Sequence, residues 1–342
     1  MRSDEVADVL DSAPQVEDPW PAEREADPRM VAGLLGQLSW ADFARESLGI
    51  EARSGRGRAT AHAALFSLEE ARDAIARAHG SGRGYHLRVD TESRGDRPSS
   101  DKREVSPEQL PALVAGGATI CVNRIHRGSR KLQATLRRVL ELTGWRGSVG
   151  MNCYLSTSQM GFGTHYDFRH VTSLQIAGQK TWTHGLRPAL AGPRRGAYFE
   201  AGPRHAERRL RDARWEIFDD AEAARPEREQ TVLRAGHFLA LPAGTWHSAR
   251  AGGYSLALNL YFQNHYFSES VYRMLGPRMD AFESWRLGWP PTPEGLGEDL
   301  SLPPRARDYA AARLEELRAL VNELDVDDPA VLSALLALGR ID

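Results

Sequence analysis

The pair His165 and Asp167, followed much later by His247, constrains this chain more than anything else in its sequence. The three lie in GFGTHYDFRHVTSLQIAGQKTWTHG (161–185) and LRAGHFLALPAGTWHSA (233–249), where short apolar runs alternate with glycine turns. Residues two apart on a strand point to one face, so a strand sets His165 and Asp167 side by side. A histidine on a second strand of a small β-barrel then completes two imidazoles and one carboxylate. That trio covers one face of a metal and leaves the opposite face open, the donor set of iron(II) sites that admit a co-substrate and O2. Lys180 places a cation in the same barrel, where it can hold a second carboxylate. Together the four residues point to an oxygenase using iron(II), 2-oxoglutarate and O2.

A bare His-x-Asp match says little in a chain with 11 histidines, since about one arises by chance. His205-Ala-Glu207 is such a decoy, set in the charge-dense RHAERRLRDARWE, which reads as a solvated helix or loop. His165 is different. SVGMNCYL (148–155) before it has strand composition. VTSLQI (171–176) after it reads as a short strand, Ala177-Gly178 as a turn, and Lys180–His184 as the next strand. His247 follows a short apolar strand, Phe238–Pro242, and the tight turn Ala243-Gly244. SLALNLYF (255–262) then reads as a buried strand with one polar residue, Asn259, which must find a partner. Lysine is used only three times in the chain, at positions 102, 131 and 180. One of them in a barrel strand is notable because lysine is almost never buried without a partner.

HYD…LQIAGQKTW, LRAGHFLALPAGTWHSA and SLALNLYFQ resemble the JmjC oxygenases, specifically the cupin-type ribosomal-protein hydroxylases and the hypoxia-factor asparaginyl hydroxylase. The resemblance spans about residues 115–265. It implies His165, Asp167 and His247 as ligands of Fe(II), and Lys180 as the partner of the distal carboxylate of 2-oxoglutarate. It also implies Asn152, Tyr154 and Asn259 as helpers around that co-substrate. The implied fold is α+β, a mainly β core of double-stranded β-helix (jelly-roll) type with helical elements at both ends. The implied activity is hydroxylation of an amino-acid side chain in a protein or peptide. Two departures stand out. Relatives carry acidic or aromatic residues after the His-x-Asp, where this chain has Arg169-His170-Val171-Thr172-Ser173. The C-terminal portion is short for a winged-helix module.

The chain of 342 residues allows one sizeable catalytic domain with appendages. A tail is expected at 1–27, a helix-and-strand extension at 28–114, the barrel at 115–265 with a basic insertion at 186–230, and a helical region at 266–342. The insertion reads as a long loop facing substrate. Net charge is −2, so nothing draws the chain to nucleic acid. Cys121 and Cys153 read as buried thiols in a reducing cytoplasm. No apolar run is long enough to cross a membrane. The C-terminal helices carry an apolar stripe that either packs on the core or joins two copies into a homodimer. Two rival readings remain. One is an oxygenase tailoring a small molecule or a ribosomally made peptide, which the basic insertion favours over an arginine-rich target. The other is a cupin-like binding module without catalysis.

Overall fold

The computed structural model describes residues 26–78, 87–90, 112, 118–157, 161–194, 196–199, 215–218, 228–291, 301–325, 327–335 and 340–341. Contacts divide the chain into two compact units, Met1–Gln263 with Gly339–Asp342, and Asn264–Leu338. The first unit runs α1 (Pro28–Gly33), α2 (Trp40–Glu46), β1 (Arg53–Arg56), α3 (Ala59–Leu65), α4 (Leu68–Ala78), β2 (Leu87–Asp90), β3 (Thr119–Val122) and α5 (Arg130–Thr143). There follow β4 (Ser148–Ser156), β5 (Gly161–Tyr166), β6 (His170–Gly185), β7 (Gly196–Phe199), β8 (Trp215–Phe218), β9 (Arg228–Arg234), β10 (His237–Leu241) and β11 (His247–Gln263). The second unit holds α6 (Phe267–Ala281), α7 (Glu283–Arg286), α8 (Pro304–Asn322) and α9 (Pro329–Leu335). The chain then returns to the first unit as β12 (Arg340–Ile341).

Helix limits follow local chemistry. Ser67 and Glu70 bond each other's backbone N–H groups at 3.1 and 2.6 Å, a capping box that starts α4. Ser129 Oγ accepts from Leu132 N–H, and Gly144 at φ 62° ends α5. Leu132, Leu136 and Val139 of α5 are buried with one face of the main sheet: Val149, Met151, Leu174, Leu256, Leu258 and Phe262. Each such side chain contributes about 1.5–3 kcal/mol on burial. The second unit closes over its own small cluster, Met274, Leu275, Leu320 and Val331. Among the described residues no helix is long and apolar enough to cross a membrane.

The described strands form one sheet in the order β1-β10-β6-β11-β4-β3-β2, with β5 beside the start of β11 and β9 beside the end of β6. Here the structure departs from the sequence reading. Ala177-Gly178 does not separate two strands; β6 is continuous through it. Both halves of β6 pair with β11, from His170↔Phe262 to His184↔His247. A straight ribbon would set those ends about 45 Å apart. Asp167 lies three residues before His170, a reach of about 11 Å at most, yet its Oδ2 is 3.8 Å from His247 Nε2. The ribbon is therefore doubled over. The fold-back coincides with the register break Ala251/Ser255 opposite Gly178 and Lys180. This doubled ribbon is the barrel. Its halves meet where Leu239 and Leu241, paired with Ser173 and Val171, join Trp182, Leu233 and Ala249 in one buried cluster. The mouth is the end carrying His170, Phe262, His184 and His247.

Glycine is required at the bend. Gly178 has φ 67°, and a Cβ there would lie 1.8 Å from Tyr254 O. Gly178→Val is expected to lower the unfolding free energy by roughly 2–4 kcal/mol, from left-handed strain plus backbone displacement. Gly192 has φ 60° but open space around its Cβ position, so Gly192→Ala should lose only about 1 kcal/mol. Urea midpoints of the two variants check this; equal losses would mean the bend is not strained.

The expectation that 186–230 is a loop holds at 186–194 and is corrected further on. Gly196–Phe199 and Trp215–Phe218 are strands, β7 pairing with β5 at His165↔Tyr198 and β8 with β7. They occupy an edge that β5 otherwise leaves open, and unpaired backbone groups favour such extension. Residues 195, 200–214 and 219–227 of the insertion, with His205 and Glu207 among them, lie outside the described residues.

Candidate metal centre

His165 and His247 are register partners on β5 and β11, with ring centroids 4.3 Å apart. Together with Asp167 they offer three ligand atoms within 4.8 Å of one another, a group that could hold a metal ion. Backbone carbonyls set both rings. His165 Nδ1 bonds Gly163 O at 2.7 Å, and His247 Nδ1 bonds Thr245 O at 2.8 Å. A carbonyl only accepts, so each Nδ1 carries a proton and Nε2 is the ring atom left for a metal. Such outer hydrogen bonds fix tautomer and ring orientation in metal sites. Burial, and next the neighbouring His165, push the His247 pKa down to about 4. The imidazole is thus neutral, as a ligand must be.

The Asp167 segment is tied to the His247 turn twice. Gly244 N–H donates to Asp167 O at 2.8 Å, and Ala243 N–H donates to His170 Nδ1 at 3.0 Å. Gly244 has φ 81°, and a Cβ would meet Leu190 O at 2.0 Å. Trp246 stacks edge-on against Tyr166 at 4.8 Å, and Trp182 lies 5.7 Å from the His247 ring.

Lys180 alternates with Trp182 and His184 along β6, and all three are buried. It is 3% exposed and forms no ion pair among the described residues. Burial pulls its pKa down to about 8. Its Nζ lies 5.7 Å from the centroid of the Tyr154 ring. Tyr154 and Asn152 share one face of β4, opposite the face of Met151 and Cys153 that joins the core under the helices. Asn259 is the register partner of both Asn152 and Ser173. The structure thus brings Lys180 and Tyr154 together, and sets Asn152 beside Asn259. Asn152 Oδ1 is engaged by Arg124 N–H at 2.9 Å, steadying a residue at φ 56°. Among the described residues, the buried Ser173 Oγ and Trp182 Nε1 find no hydrogen-bond partner. Trp182 had a sequence signal, the strand face of Lys180, whereas Ser173 joins the face of Asn259 only through the pairing of β6 with β11.

His184 and His170 were not singled out from sequence. His184 is satisfied by Gly185 O and Thr231 Oγ1, both at 2.9 Å. His170 is an acceptor for the turn before His247. Nothing in their local sequence separates such structural histidines from ligands.

A doubled β-ribbon with two imidazoles and a carboxylate at its mouth defines the class as a double-stranded β-helix protein with a candidate facial metal site. Residues 128–270 match the model of the JmjC domain. The crystal structure of Escherichia coli YcfD superposes with TM-score 0.50 at 15% identity, covering 86% of this chain and 69% of that one. A structure of YcfD described as a ribosomal oxygenase in complex with cobalt and 2-oxoglutarate superposes at TM-score 0.47, also at 15% identity, covering 86% of this chain and 69% of that one. An uncharacterised protein of Bacillus subtilis, YxbC, is 26% identical over 170 residues, 48% of this chain. The chain spans about half the length of that curated relative, 49%.

Proposed function

We propose that the protein is an iron(II)- and 2-oxoglutarate-dependent oxygenase that hydroxylates an amino-acid side chain of a protein or peptide. The observation that carries the reading is the trio His165, Asp167 and His247 at the open end of a barrel that also buries the cation Lys180. The donor set fits a borderline divalent metal, with two imidazoles held by carbonyls and one carboxylate. Bound iron with 2-oxoglutarate supplies oxidative decarboxylation by O2 and insertion of one oxygen atom into a C–H bond.

The chain's own residues do the rest. His165, Asp167 and His247 would hold the metal. Lys180 receives the distal carboxylate of the co-substrate, and the buried Ser173 Oγ, the Tyr154 ring and Asn259 lie on the faces around it. Trp182, Leu239 and Leu241 keep water from that interior, which strengthens every charge interaction there. The prime substrate enters at the mouth, where its C–H is positioned next to the metal.

The test is anaerobic titration of the full chain with Fe(II) and then 2-oxoglutarate. One iron per chain is expected, followed by a visible charge-transfer band that forms only when both are present. Admission of O2 should release succinate and CO2. An iron-loaded chain that gives neither band nor succinate would leave the cupin-like binding module as the better reading.

A further inference from the structure

Among the described residues of the first unit, the large apolar side chains left in water are Ile50 at 53%, Leu186 at 36%, Leu190 at 45% and Val232 at 39% exposed. Scattered single leucines are ordinary on a protein surface, whereas a cluster marks a place that something covers. Val232 lies on β9 opposite Thr181, further toward the bend of the ribbon. The other three belong to segments tied to the turns of the metal site. Leu186 follows the end of β6, where His184 pairs with His247 and Gly185 N–H donates to Trp246 O at 2.9 Å. The Leu186 carbonyl accepts from Ala52 N–H at 2.7 Å, which brings in the turn of Ile50. That turn also abuts the strand start after Asp167, since a Cβ on Gly49 would lie 3.0 Å from His170 Cε1. Leu190 is anchored to the turn before His247. Ala189 N–H donates to Gly244 O at 2.9 Å, a Cβ on Gly244 would lie 2.0 Å from Leu190 O, and Gly244 N–H donates to Asp167 O.

These anchors run from backbone to backbone, so they fix where the segments lie without using the three side chains. Apolar groups held in place beforehand lose little freedom when a ligand covers them, and the apolar area removed from water is then gained nearly in full. We propose that Ile50, Leu186 and Leu190 form the specificity rim of the prime-substrate site and dock a peptide that carries bulky apolar side chains next to the residue to be oxidised. This rests on the oxygenase reading and deepens it. A single small apolar group would cover one of these side chains. An extended peptide offers several in succession, one about every 3.3 Å of its length, while its target residue enters the mouth.

The experiment uses the full chain loaded with Mn(II) and 2-oxoglutarate under argon. A random-sequence peptide library is passed over it, and retained peptides are read by mass spectrometry. Each is remade with its bulky apolar residues exchanged for polar ones of similar shape, Val for Thr and Leu for Asn. Affinities of the pairs, metal and 2-oxoglutarate occupancy, and melting temperature are measured together. The apolar member should bind about tenfold or more tighter at the position that meets the rim. A chain carrying Ile50→Ser, Leu186→Ser and Leu190→Ser should bring that ratio to near one with metal and 2-oxoglutarate still bound. Leu190→Ser alone should lower the ratio part-way, a readout that stands even where the triple variant does not fold. Val232→Ser should leave it as in the wild type. No apolar preference in the wild type, retention of small apolar molecules but no peptide, or a ratio that survives the rim substitutions overturns the proposal. So does a triple variant that keeps the ratio but loses melting temperature, metal or 2-oxoglutarate, which would make the three residues structural. A wild-type chain that holds neither metal nor 2-oxoglutarate but keeps a rim-dependent apolar preference would sink the oxygenase reading and spare the rim.

Discussion

His165→Ala is expected to leave the purified protein without iron and to reduce 2-oxoglutarate turnover to background. Losing only an outer hydrogen-bond partner of a metal ligand weakens a metal by about 10–100-fold. Losing the ligand itself should exceed the upper end of that range. His165 is one of three donors converging within 4.8 Å, and Asp167 with His247 cannot close a facial set alone. Folding should survive, because the His165 side chain anchors to Gly163 O, two residues away on its own strand, and bridges no distant elements through that bond. Metal content after dialysis against Fe(II) and a thermal midpoint on the metal-free protein separate the two effects. His184→Gln is the matched control. His184 is also buried on the barrel face, but its nitrogens are used by Gly185 O and Thr231 Oγ1, so iron should remain. Full iron occupancy in His165→Ala would remove the metal assignment altogether.

What could be read from the residues, and what could not, follows from the range of the interactions involved. His165 and Asp167 are two apart, so a strand alone places them together. Lys180 and Trp182 share a face for the same reason. The capping box at Ser67 and the end of α5 at Gly144 are equally local. The doubled ribbon was not legible. Ala177-Gly178 looks like the end of a strand in sequence, because glycine is the usual mark of a turn. Only pairing with β11 keeps β6 continuous through the bend, and pairing is a long-range fact. The strands inside the insertion were missed likewise, since β7 is set by an edge of β5 far away in sequence. Asn152 shows the limit for side chains. The family resemblance implied an amide beside the co-substrate, and the N–H of Arg124, at φ 56°, uses its oxygen. No pattern in the chain announces that hydrogen bond.

Lys180→Ala is expected to raise the KM for 2-oxoglutarate by about a hundredfold or more while iron content stays close to that of the wild type. Removing one partner of a buried ion pair costs about 3–5 kcal/mol, because the remaining charge is left without compensation in a poorly solvated place. Lys180 is that partner in the proposed complex. It is buried, makes no ion pair among the described residues, and sits on the face of Trp182, beside His247. Its charge also ties affinity to pH in a definite direction. Burial holds its pKa at about 8, below the usual lysine value of 10.5. Below pH 8 the free protein already carries the ammonium that the carboxylate needs. Above pH 8 binding must first restore that proton, so 2-oxoglutarate affinity should fall as pH rises through 8. The limiting slope is about tenfold per pH unit until the pKa of the complex is reached. Lys180→Arg should move that fall well above pH 8, because a guanidinium stays charged there. Affinity measured by calorimetry with Mn(II) in place of iron, across pH 6.5–9.5, checks both effects without turnover. A flat profile in the wild type, or a KM unchanged in Lys180→Ala, would show that another cation anchors the co-substrate.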